Sequence, residues 1–101
     1  MVRVEAWIRP FEIDVMKEAL RDAGASGVTA TDVTRIATAP AAARWSGSKL
    51  ETVVHEDLVE RVVAAIARAT KPSHSTAEIW LTRVASAVRI RTGEIDEAAI
   101  Y

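Results

Sequence analysis

No cysteine occurs among the 101 residues, which removes disulfides, thiolate metal sites and thiol catalysis together. Histidine is almost as scarce. His55 and His74 are the only two and neither stands in a ligand spacing such as HExxH, so no metal centre is expected. The four glycines, at 24, 27, 47 and 93, are too scattered to build a glycine-rich phosphate loop. No serine sits in a GxSxG elbow and no carboxylate pair is placed as an acid/base dyad, so an enzyme is not expected. Neither sign of charge prevails: thirteen Lys and Arg against fourteen Asp and Glu give a net charge of −1. The basic residues are interleaved with acids, which argues against nucleic acid as a partner. Long apolar runs are missing as well. The opening MVRVEAWIRP alternates polar and apolar residues, so neither a leader nor a membrane-inserted segment is expected, and the expected location is cytoplasmic.

What is present is a chain half hydrophobic, with the length and composition of one domain over 1–101. VRVEAWIR sets Val2, Val4, Ala6 and Ile8 on one face and Arg3, Glu5, Trp7 and Arg9 on the other, a half-buried strand that Pro10 ends. Ile13, Met16, Leu20 and Ala23 follow at helical spacing, and Gly24 supplies the stop. GVTATDVTRI and KLETVV alternate with many β-branched residues and read as a hairpin pair. DLVERVVAAIARAT carries Val59, Val62, Val63 and Ile66 on one stripe, a second helix with His55 at its entry. AEIWLTRV and a short AVRIR complete the strands. The order β-α-β-β-α-β with a short extra C-terminal strand is an α+β, ferredoxin-like fold.

Both helices of such a fold cover one sheet face, and the other needs water or a partner. Trp7, Val53, Trp80 and Val84 are expected on that second face if Ile79 and Leu81 face the helices. Two tryptophans there favour a homo-oligomer with its sheets facing one another. Two stretches lack periodicity, an Ala-rich loop at 37–48 and a second loop at 70–76.

The remaining chemistry lies in AVRIRTGE. On a strand, Arg89 and Arg91 share a face while Val88 and Ile90 take the other, and two guanidinium groups on one face suit phosphate or carboxylate. Taken alone the same pattern also fits a charged sheet edge. Lys71 and backbone N–H groups of the second loop could assist the arginines.

The stretches EAWIRPFEIDVMKEALRDAGASGVTATDV, KLETVVHEDLVERVVAAIARA and AVRIRTGEIDEAAI closely resemble the PII signal-transduction proteins over nearly the whole chain. The resemblance implies a homotrimer that binds ATP or ADP between subunits and signals to a transporter or enzyme through a long loop. Carried over by position, Arg89 and Arg91 contact the phosphates, Gly27 and Thr29 approach the nucleotide from the neighbouring subunit, and Val53 lines the adenine site. The departures are specific. A Gly-x-Gly-Arg-Gln-like stretch of the family is here Arg35-Ile36-Ala37-Thr38-Ala39 in a shorter loop, and Gly47 stands where the family has a lysine, which removes residues implied in binding magnesium and 2-oxoglutarate. A TGKIGDGK-like phosphate loop is here TKPSHSTAE, with Glu78 in place of a phosphate-binding lysine. The expectation is therefore ADP or AMP favoured over ATP. Loss of the 2-oxoglutarate residues with RIRTGE retained is compatible with the carboxysome- and bicarbonate-associated PII-like proteins, which adds bicarbonate as an effector and inorganic-carbon metabolism, beside nitrogen metabolism, as a setting. The alternative is a structural homotrimer of the same fold without nucleotide, its arginines in inter-subunit salt bridges. A small enzyme or metal-handling trimer of the CutA-like type is disfavoured by the missing cysteine and clustered histidine.

Overall fold

A computed structural model of the chain describes residues 1–36, 38, 45–70 and 78–100. Strand β1 (Val2–Ile8) leads through a 3-10 turn at Pro10–Glu12 into helix α1 (Ile13–Asp22). β2 (Thr29–Arg35) and β3 (Trp45–Val54) follow, then α2 (Val59–Ala69), β4 (Ile79–Arg83) and a single-turn helix α3 (Glu97–Ile100). The strands form one antiparallel sheet in the order β2-β3-β1-β4. The α+β, ferredoxin-like expectation is met. The element boundaries follow local chemistry. Gly24 at φ +100° closes α1, a backbone conformation that costs residues with a Cβ. The His55 Nδ1 accepts the Asp57 N–H at 3.1 Å and caps the turn that opens α2.

The core is the one the alternation specifies. Val4, Ala6 and Ile8 of β1 and Leu50 and Val54 of β3 meet Met16, Leu20 and Ala23 of α1 and Val62, Ala65 and Ile66 of α2, all nearly free of solvent. Burying each large member contributes roughly 1.5 to 3 kcal/mol. Ile79 packs against this core. Leu81, two residues along the same edge strand, is left 53% exposed, so only the first half of the β4 expectation holds.

Two differences bear on function. β3 begins at Trp45, so residues 45–48, expected in the loop, extend the sheet. Lys49 faces Trp7 and Ser48 faces Ile8, and the β2–β3 pair runs on from there to Arg35 opposite Trp45, past the end of β1. The second difference is at the C-terminus. Where a short strand is expected at AVRIR, the chain makes one isolated bridge, Val88 to Ile95, around a turn.

Candidate functional site

The C-terminal turn is built from its own hydrogen bonds. The Arg89 N–H donates to the Glu94 carbonyl and the Gly93 N–H to the Arg89 carbonyl, both at 2.8 Å. Gly93 takes φ +75° to permit this, and Asp96, at φ +53°, fixes the base: its N–H donates to the Ala87 carbonyl at 2.7 Å and its Oδ1 accepts the Ala87 N–H at 3.3 Å. Strand alternation therefore does not operate here. Val88 and Ile90, expected on a packed face, are 62% and 99% exposed, because a turn cannot hold side chains in two alternating rows.

The two arginines differ in consequence. Arg89 is half-buried and held within the chain: Nη1 pairs with Glu94 Oε1 at 3.4 Å and Nη2 donates to the Ala99 carbonyl at 3.2 Å. Thr92 Oγ1 donates to the same Glu94 oxygen at 2.8 Å. Arg91 is exposed on the turn.

A chain of contacts ties other expected residues to this turn. Ser26 Oγ donates to the Ile100 carbonyl, next to the Ala99 carbonyl that Arg89 uses. Thr52 Oγ1 donates to the Gly27 carbonyl at 2.7 Å. Thr29 pairs with Glu51 and Val53 with Arg3, so Thr29 and Val53 share the open sheet face. Ser26, beside Gly27, and Arg89 thus bond to adjacent carbonyls of α3, while Thr29 and Val53 share the open face of β2 and β3. Among the described residues, apart from its chain neighbours, none has an atom within 4 Å of where a Cβ at Gly27 would stand. Lys71 lies outside the described residues.

Glu78 lies toward the far end of β1, where its carbonyl accepts the Trp7 N–H at 3.2 Å. Its Oε2 accepts Trp80 Nε1–H at 2.8 Å and Arg35 Nη2–H at 3.1 Å. The Trp80 bond, then the Arg35 bond, hold the Glu78 carboxyl below its ordinary range. Trp7 is the centre of this group. Its ring meets Trp80 edge-on at 6.5 Å, as expected of the two tryptophans on the open face, with the Arg35 guanidinium 5.4 Å and the Lys49 ammonium 5.9 Å from its centroid. Lys49 is itself paired with Glu51 at 2.9 Å, which raises its pKa. Sequence reasoning placed Trp7 and Trp80 correctly but gave Arg35 no partner. The missing signal was available only through register, which sets Arg35, Lys49 and Trp7 on one face.

Compared with known proteins, residues 1–94 match a family model described as "Nitrogen regulatory protein P-II". The chain belongs to the P-II family. It is 35% identical to a nitrogen regulatory protein P-II of Bradyrhizobium diazoefficiens over 106 aligned positions, which cover 93% of this chain and 95% of the relative. A P-II of Cereibacter sphaeroides is 34% identical, with 99% and 100% covered. Nitrogen regulatory protein P-II 1 of Escherichia coli strain K12 is 33% identical with the same coverage. Alignments of 112 positions to a chain of 101 residues make this P-II the shorter one. P-II proteins are homotrimeric, non-enzymatic signal transducers that take adenine nucleotides as effectors, so this chain is a regulator and not an enzyme. No helix among the described residues is long and apolar enough to cross a membrane, and they hold no cluster of metal-ligating side chains.

Proposed function

We propose that this P-II protein is a homotrimer that binds ADP or AMP in preference to ATP in clefts between its subunits and regulates a transporter or enzyme through residues 37–48. The observation that carries the reading is the separation within one chain. Arg89 and Ser26, next to Gly27, bond to the neighbouring Ala99 and Ile100 carbonyls of the C-terminal helix, while Glu78, at the position of a phosphate-binding lysine in the family resemblance, is bonded to Trp7 toward the far end of β1. A head-to-tail trimer brings unlike ends of neighbouring subunits together, and a nucleotide long enough to touch both reports on that junction. Arg89 and Arg91 hold phosphate, Gly27 leaves room for the nucleotide beside Thr29, Val53 meets the base, and Lys71 adds a cation from the second loop. Glu78 opposes a third phosphate by like charge, which favours the shorter anions.

Isothermal titration with ATP, ADP and AMP tests this. ADP or AMP should bind at least as well as ATP, at micromolar affinity or weaker, with little help from magnesium. Glu78→Lys should restore the preference for ATP. Absence of adenine nucleotide binding at millimolar concentration removes the reading. Bicarbonate as a second effector is tested in the same cell by repeating the ADP titration in bicarbonate buffer, and a shift in affinity supports a role in inorganic-carbon rather than nitrogen metabolism.

The second reading is a structural homotrimer without nucleotide. One observation bears on it: Arg89 is already engaged within its own chain by Glu94 and the Ala99 carbonyl, which gives that guanidinium a structural task, although not the pairing between chains that this reading started from. Arg91→Ala separates the two, since a structural arginine would take the trimer with it and a ligand arginine would not.

A further inference from the structure

Arg35 is the last residue of β2 and Glu78 immediately precedes β4. These strands are the two edges of the sheet, with β3 and β1 between them. β2 and β4 are not neighbours in the sheet, and the 3.1 Å ion pair between the two side chains joins one edge to the other. It does so lying on Trp7, whose ring holds the guanidinium in place from below. The carboxylate end is fixed as well, by the Trp80 indole N–H. Two other cations on this face are matched locally: Lys49 with Glu51, and Arg3 with Glu5. Arg35 alone among these cations is paired with a carboxylate from a different segment of the chain, next to the second loop.

We infer that Arg35 is an anion-binding residue of the nucleotide cleft, and that Glu78 is its built-in competitor, occupying the guanidinium until a phosphate of the nucleotide displaces it. The inference rests on the nucleotide reading above and adds a residue to it. Both side chains are partly exposed, 39% for Arg35 and 46% for Glu78, so a ligand can reach them. An exposed carboxylate–guanidinium pair is weakly held, whereas a phosphate carries more charge and matches the planar fork bidentately. The guanidinium need not be ordered afresh, since Trp7 already fixes it, and that lowers the cost of exchange. In sequence, Arg35 adjoins residue 36, where the proposed partner loop departs, and Glu78 follows the second loop.

A double-mutant cycle with ADP as the probe tests the exchange, using wild type, Glu78→Gln, Arg35→Gln and the double variant, each checked by thermal melting. Glu78→Gln should tighten ADP by about tenfold and Arg35→Gln should weaken it by about tenfold. In the Arg35→Gln background Glu78→Gln should have little left to give, because the competition needs the arginine. Arg35→Lys should recover only part of the loss. Equal ADP affinity for wild type and Glu78→Gln, or a Glu78→Gln effect undiminished without Arg35, overturns the exchange and leaves the nucleotide reading standing. No ADP binding by any of the proteins overturns both.

Discussion

Arg89 and Arg91, two residues apart, have different amounts left to give. Arg89 supports the turn on which both stand, through Glu94 and Ala99, so its replacement loosens the scaffold along with any ligand contact. Arg91 is exposed, and Arg91→Ala should cost only the ligand interaction. A charge-assisted hydrogen bond to phosphate is worth a factor of about ten to a hundred in affinity, measured by ADP titration, with the sedimentation behaviour and melting temperature unchanged. The Trp7 cluster supplies a residue-scale pH dependence. Glu78 is held below its ordinary value, so its pairing with Arg35 is complete above the unfolded glutamate value and lost as pH falls through the depressed one. Lys49 is raised, so its pairing is complete below the ordinary lysine value and lost as pH rises through the raised one. Tryptophan emission should therefore be flat from about pH 5 to pH 10 and step outside that window. The acid step should vanish in Glu78→Gln; an acid step that survives the substitution assigns it elsewhere.

Among the elements, the C-terminal turn depends on one backbone conformation more than on any side chain. Gly93 sits at φ +75°, and among the described residues beyond its chain neighbours none has an atom within 4 Å of where a Cβ would stand, so Gly93→Ala should meet chiefly the cost of left-handed backbone, about 1 kcal/mol. Urea denaturation should show that loss. Because the same turn carries both arginines, ADP binding should weaken with it. The β2–β3 arm is the second element with a testable property. Its paired part starts at Trp45, earlier in β3 than an unpaired loop over 37–48 allows, so limited proteolysis within the proposed partner loop should spare residues 45–48. A nucleotide that signals through this segment should change the cutting rate, and a rate indifferent to every nucleotide counts against it.

At the scale of the whole molecule, the open sheet face and the C-terminal turn leave large apolar groups in water. Trp80 is 50% exposed, Val88 62%, Ile90 99% and Ile95 61%, while Trp7 is already half-covered by its neighbours. Burying a large apolar side chain gains roughly 1.5 to 3 kcal/mol, so a few per interface reach the lower part of an association cost of about 4 to 15 kcal/mol. Sedimentation at micromolar concentration should give a trimer. A species of only 11.0 kDa would falsify the assembly on which the shared cleft depends.

The core and the element order were determined by the sequence alone, because they follow from short-range periodicity. Alternation put Val4, Ala6 and Ile8 inside, the helical spacing put Met16, Leu20 and Ala23 against them, and both sets are buried. The same local logic identified Gly24 as the end of α1 and His55 as the entry to the second helix. It failed at Arg89 and Arg91, where alternation was extended into a segment too short to pair: hydrogen bonds between residues 87 and 96 outweighed strand propensity and made a turn. Only the tertiary structure could join Arg35 to Glu78. They are 43 residues apart, one ending β2 and the other just before β4, strands that are neighbours neither in sequence nor in the sheet. Their meeting depends on register and on the indoles of Trp7 and Trp80 that hold the two groups. None of these is encoded in the spacing of residues along the chain.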